Sequence, residues 1–158
     1  MDENIEENKS YAKGFLRKHN TGVLCTTDGA NLAYGSVIYF DVDEDFKITF
    51  TTKDKTRKSE NIKNNNQVML VVFDAKEQTT VQISGVADEI KDESKTKDVL
   101  NMTLHASLAS SGNSIAPVAK LNAGEFIAYS IAVTKIRMAS FDNAELSDYD
   151  ERFITIDF

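Results

Sequence analysis

Tryptophan is absent from the 158 residues, and cysteine and proline occur once each. A single thiol, Cys25, permits no internal disulfide, so stability has to come from a core. Cys25 sits in the apolar run Val23-Leu24-Cys25 and reads as a buried small hydrophobe. No apolar run approaches the ~20 residues of a membrane span. The leading residues MDENIEENK are acidic, unlike a secretory signal. A cytoplasmic protein with no membrane partner is the expectation. The two histidines, His19 and His105, are far apart and have no Cys, Asp or Glu at metal-ligand spacing. Both read as helix surface or packing residues, and no metal is expected. The acidic stretches 41–45 and 142–151 lack the glycine and terminal Glu of a calcium loop. There is no Gly-rich phosphate loop and no G-x-S-x-G elbow, and no side chain stands out as a nucleophile or as a catalytic acid or base. The net charge of −7 excludes nucleic acid as a partner.

What is present is the composition of an ordinary globular protein, 41% hydrophobic and 27% charged. The length suits one domain, residues 1–158, that buries roughly two-thirds of its unfolded surface. Residues 3–19 carry Ile5, Ala12, Phe15, Leu16 and His19 at helical spacing. Strands follow at 22–27 and 32–40, with Asp28-Gly29 expected as a two-residue hairpin turn of positive φ. Another strand spans 46–52, where Phe46, Ile48, Phe50 and Thr52 alternate with polar residues. The almost wholly apolar 68–73 predicts a strand covered on both faces. Residues 79–90 predict a strand whose alternation slips at Ser84-Gly85, a glycine bulge. A long strand at 126–138 slips near Thr134-Lys135. Asp92 predicts the N-cap of a helix over 93–110, with Leu100, Leu104 and Leu108 as its buried stripe, widened by Val99 and Ala106. Residues 153–158 predict a last short strand. Together these elements predict a mainly β fold, an antiparallel barrel with helices packed outside.

The strongest local signal is the corner after the 46–52 strand. Residues 53–63 hold Lys53, Lys55, Arg57, Lys58 and Lys63 against Asp54 and Glu60. That is a local +3 in a chain of −7, leaving −10 for the rest. A helix predicted over 56–65 starts inside this basic stretch and stops at Asn64-Asn65-Asn66, where left-handed residues are expected. A helix start offers free N–H donors and a positive dipole end. Thr56 adds a hydroxyl, Arg57 a planar fork and Lys58 a point charge, which suits a small anion such as a phosphate. A solvated turn and surface helix is the plainer alternative.

The order strand, Thr51-Thr52, short loop, Thr56-Arg57-Lys58, then Asn61-Ile62 resembles the pyridoxamine 5'-phosphate oxidase-like, FMN-binding split barrels and their general-stress-protein relatives. GVLCTTDGANLAYGSVIYF (22–40), QVMLVVFD (67–74) and TTVQISGVADEI (79–90) extend the likeness. It is good over roughly 20–90 and looser over 124–143. The resemblance implies an antiparallel six-stranded split β-barrel and a homodimer with two FMN sites at its interface. It places Thr56, Arg57 and Lys58 on the flavin phosphate, and Phe50, Thr51 and Thr52 along the ribityl chain and ring edge. Ser36 and Val37 would meet the ring through backbone, and Thr80 falls where true oxidases place a glutamine near it. Gly35 and Phe40 stand where those oxidases carry an arginine and a lysine, and no Trp-bearing C-terminal segment is present. Flavin binding is therefore the firmer expectation than oxidation of a vitamin B6 phosphate. The implied function is an FMN-dependent oxidoreductase acting on a small substrate or NAD(P)H. The alternatives are a flavin-binding or stress-response protein without turnover, the same fold holding haem or a deazaflavin, and an empty barrel used for dimerisation.

Overall fold

The computed structural model describes residues 2–142 and 146–158. The elements run α1 (Asp2–Lys18), β1 (Thr21–Thr27), β2 (Ala33–Tyr39), β3 (Asp41–Val42), β4 (Ile48–Lys53) and α2 (Arg57–Asn64), then β5 (Gln67–Asp74), β6 (Thr79–Ile90) and α3 (Glu93–Ser111). A 3-10 turn (Pro117–Lys120), β7 (Phe126–Ser140), a single helical turn α4 (Tyr149–Arg152) and β8 (Ile154–Asp157) complete the order. All strand pairings are antiparallel. Six long strands make the frame, and the short β3 and β8 extend it. The fold is the antiparallel split barrel with three main helices.

The strand order β2-β1-β5-β6-β7-β4-β3 puts β2 and β3 at opposite ends of the sheet, with β8 paired to β7. Only Phe40 separates β2 from β3 in the chain. The sheet therefore has to curl until its two ends meet. Phe40 seals the seam: its side chain is buried and its N–H donates to the Asn20 carbonyl at 3.0 Å. Leu24, Ile48, Phe50, Leu70, Val72, Val81, Ile83, Ile131 and Ile136 fill the interior, and α1 covers one opening with Ala12, Phe15 and Leu16.

The two expected phase slips are one bulge seen from both strands. Ser84 pairs with Lys135 and Gly85 with Val133, so Thr134 is the extra residue. The Thr134 hydroxyl donates to the Ser84 carbonyl at 3.1 Å. The strands approach so closely that a Cβ on Gly85 would lie 2.6 Å from the Ala132 carbonyl oxygen, which explains the glycine.

Several local expectations are corrected. The β1–β2 connection is not a two-residue turn. Asp28 accepts from the Ala30 and Leu32 N–H groups at 2.8 and 3.0 Å, and Asn31 takes the positive φ of 60°. The side chain of Asp28 mimics backbone and so lengthens the loop. α2 stops at Asn65 in extended backbone, φ −144°, with no left-handed residue. β5 is covered on one face only, with Met69 and Phe73 outward. Cys25, paired with Met69, is partly exposed on that same outer face. On α3 the buried stripe is Val99, Thr103 and Ser107, one position back from the leucines, and Leu108 is half exposed. Asp92 does cap α3, accepting from the Lys95 N–H at 3.0 Å. Among the described residues no helix is long and apolar enough to cross a membrane.

Candidate functional site

β4 and α2 meet at the basic corner. β4 delivers Thr52 near its end, and three connecting residues, Asp54, Lys55 and Thr56, lead from β4 into α2. The turn is braced from the loop before β7. Asp54 N–H donates to the Glu125 carbonyl and Lys55 N–H to the Ala123 carbonyl, both at 2.9 Å, while Asp54 Oδ1 accepts from the Glu125 N–H at 3.0 Å. Gly124 lies between them at φ 88°, and a Cβ there would fall 1.8 Å from Asp54 Oδ1. Only glycine allows this brace.

Thr56 precedes α2 but does not cap it with its side chain. Its hydroxyl instead donates to the Lys53 carbonyl at 2.8 Å and lies 3.2 Å from the Thr52 hydroxyl. The N–H groups of Arg57 and Lys58 are left without a backbone or side-chain acceptor. Lys58 Nζ donates to Thr52 Oγ1 at 3.3 Å, and burial holds its pKa below the usual lysine value. The Arg57 guanidinium lies 4.8 Å from the centre of the Tyr34 ring, and the Tyr34 hydroxyl donates to Asp28 at 3.2 Å. Every ion pair within 4.0 Å among the described residues uses other side chains, so neither Arg57 nor Lys58 has a carboxylate at ion-pair distance, although Arg57 is near enough to Asp28 to help lower that carboxyl's pKa, after its backbone and Tyr34 hydrogen bonds. Two cations consecutive in the chain, two hydroxyls and an open helix start belong to this corner, with the Arg57 guanidinium over Tyr34 and the Lys58 ammonium on Thr52, which is the chemistry of an anion site.

Two buried ties hold α2 in place. The hydroxyls of Ser59 and Tyr129 are 2.7 Å apart, and Asn61 Nδ2 donates to the Thr26 hydroxyl at 3.0 Å. All four residues are buried. Sequence reading missed Ser59, Tyr129, Tyr34 and Gly124, because each acts through a partner distant in the chain.

The other expected site residues scatter. Phe50 lies in the core, stacked on Tyr129 at 5.5 Å, so it can offer a ligand only its backbone. Thr51 points to the opposite face of β4 from Phe50 and Thr52, and its buried hydroxyl has no partner. Ser36 shares a face of β2 with Tyr34, and Val37 faces outward. Thr80 pairs with Ala139, whereas Thr51 pairs with Ala128. The intervening stretch of β7 is roughly 36 Å at about 3.3 Å per residue, so within one subunit Thr80 is at the far end of the strand from the corner.

A cleft of about 790 Å³ opens elsewhere, between α1, β3 and α3, with Leu16, Phe40, Met102 and His105 in its walls. One cluster of metal-ligand type occurs among the described residues. The donor atoms of His19, Asp74 and Glu77 lie within 4.8 Å of one another. His19 Nδ1 is 3.5 Å from Asp74, and the Lys18 ammonium already bonds Glu77. With a lysine supplying the positive charge, the cluster ties the end of α1 to the β5–β6 turn.

Solved structures of similar fold differ in what they bind. A pyridoxamine 5'-phosphate oxidase-related, FMN-binding protein from Nostoc punctiforme superposes with a TM-score of 0.60 at 8% identity, covering 94% of this chain and 95% of that one. A haem-binding protein from Mycobacterium smegmatis gives 0.63 at 14%, covering 92% and 56%. An F420 reductase gives 0.63 at 19%, covering 78% and 94%. At these identities the likeness shows the fold alone. No curated protein sequence matches the chain. The match that decides the family is to its sequence model: residues 9–137 match pyridoxamine 5'-phosphate oxidase, and the chain belongs to that family.

Proposed function

We propose that the protein is an FMN-binding flavoprotein whose corner at Thr52, Thr56, Arg57 and Lys58 holds the flavin's phosphate. One observation carries this reading: Arg57 and Lys58 stand side by side at an uncapped helix start with no carboxylate within ion-pair distance. Leaving a half-buried lysine without a counter-ion is unfavourable unless an anion joins it. The Arg57 fork and the N–H groups of Arg57 and Lys58 would bind phosphate oxygens, and the hydroxyls of Thr52 and Thr56 would orient them. Thr52 is the proposed ribityl contact by side chain, with Thr51, on the opposite face of β4, and Phe50, Ser36 and Val37 contributing through backbone. Bound flavin supplies hydride and electron transfer that no side chain of the chain can. An oxidoreductase acting on a small substrate or NAD(P)H follows, in the cytoplasm.

The same proposal includes a homodimer. The outer faces of β2, β1 and β5 expose Val37 (70%), Val23 (40%), Met69 (37%) and Phe73 (60%), an apolar strip that a second copy would cover. Thr80 pairs with Phe73 on this strip, so a partner's Thr80 could reach a site that its own subunit's Thr80 cannot.

Flavin holding without turnover is the second reading, favoured because among the described residues Lys58 is the one ionisable side chain hydrogen-bonded to a corner hydroxyl. Haem suits the corner less well, since His19 is engaged with Asp74 and His105 lies at the α1–α3 cleft. The test is an absorbance scan of the purified protein, then titration with FMN, a deazaflavin and haem in parallel. Saturable FMN binding followed by reduction with NAD(P)H supports the oxidoreductase. Binding without reduction supports the holding role, and preference for haem or the deazaflavin overturns the FMN assignment.

A further inference from the structure

We propose that Tyr129 and Ser59 are positioning residues that set the spacing between the two halves of the phosphate corner. This rests on the FMN reading above. α2 has only eight residues, too few to be stable alone. Its buried face holds one apolar side chain, Ile62, beside Ser59 and Asn61. Hydrophobic burial alone therefore fixes its orientation poorly, and polar ties have to supply the rest. Ser59 follows Arg57 and Lys58 directly and is fully buried. Its 2.7 Å contact is to Tyr129, itself 2% exposed.

Tyr129 is also bound to the other half of the corner. It pairs with Phe50 in the β4–β7 ladder and its ring stacks on that of Phe50. One side chain thus grips the strand that presents Thr52 and the helix that presents Arg57 and Lys58. Burial pushes the Tyr129 hydroxyl pKa up, so it remains a neutral hydrogen-bonding group. Asn61, bonded to Thr26, ties the next turn of α2 to β1, on a different side of the helix. Without the Ser59–Tyr129 contact the first turn could pivot about Asn61 and carry both cations away from the threonine hydroxyls.

The experiment measures FMN and riboflavin affinity together with thermal stability, for wild type, Tyr129→Phe, Ser59→Ala and the double variant. Riboflavin shares the ring and ribityl chain but lacks the phosphate. Each single variant orphans a buried hydroxyl and should lower Tm. The double variant orphans none and should recover most of that loss. FMN affinity should fall about tenfold in all three variants, the double included, with riboflavin affinity unchanged. FMN affinity that recovers with Tm in the double variant would make the pair purely structural, and so would equal losses for both ligands. Failure of the wild type to bind FMN would instead remove the reading on which the inference stands.

Discussion

Lys58 directs its ammonium at the hydroxyl of Thr52 across 3.3 Å, a charge resting on a neutral oxygen. The pairing has a consequence for pH. Burial lowers the Lys58 pKa in the folded protein from the ordinary value of 10.5. Between the lowered value and 10.5 the unfolded chain binds more protons, so the ligand-free protein gains stability as pH rises through that window. Below the window the destabilisation is present in full.

A bound phosphate reverses that preference by favouring the ammonium. FMN affinity should therefore fall as pH rises through the lowered pKa, by up to about tenfold per pH unit. Titrations at several pH values above about 7, where the phosphate is already ionised, check this. Lys58→Arg, which stays charged, should flatten the profile. A flat wild-type profile removes Lys58 from the site.

Replacing Arg57 and Lys58 together with Ala should weaken FMN binding by several kcal/mol, since each charged contact contributes about 1.5–3 kcal/mol. The fold should survive, because Arg57 is exposed and neither residue belongs to the core cluster. Fluorescence titration beside circular dichroism measures both. Unchanged affinity in a folded double variant would count against the corner.

The apolar strip makes a separate prediction about assembly. Val37→Glu and Phe73→Glu each place a charge on a strongly exposed position. A monomer should leave them nearly indifferent, within about 0.5 kcal/mol. A homodimer should dissociate, halving the mass in light scattering and lowering FMN affinity with it. A wild-type protein that is already monomeric at micromolar concentration would rule the interface out.

Gly124→Ala should loosen the corner from a distance. The substitution meets both a positive φ and the Asp54 carboxylate, so a stability loss of about 1–3 kcal/mol is expected. FMN affinity should drop as well, because Asp54 can no longer hold the loop against the turn. Gly85→Ala, at the bulge, should destabilise comparably while leaving the corner's geometry in place. Comparing the two variants in one titration separates local from global effects.

The sequence made legible what depends on neighbours in the chain. Alternation located the long strands, and the charge run located the corner. The bulge appeared as two phase slips, at Ser84-Gly85 and Thr134-Lys135, although only pairing shows that they are one feature. What failed depends on neighbours in space. The leucines of α3 suggested one face, yet Thr103 and Ser107 are buried while Leu108 is half exposed. Thr103 manages this by donating to the Val99 carbonyl within its own helix. The apolar run of β5 looked covered on both faces, and Phe73 is 60% exposed. An apolar side chain reads the same in sequence whether its cover is its own core, a second copy or nothing. His19 offered no signal of its contact with Asp74 and Glu77, which arrive from a turn more than fifty residues later.

Phe40 gives the barrel an unusual mechanical character. Because this single residue spans the two outermost strands, neither can peel from the sheet without pulling on the other. Edge strands ordinarily fray independently and exchange their amide hydrogens first. Here β2 and β3 should open as one event, with exchange rates that rise and fall together. A glycine-rich insertion at position 40 would uncouple them, turning a closed hoop into a strip with two loose ends.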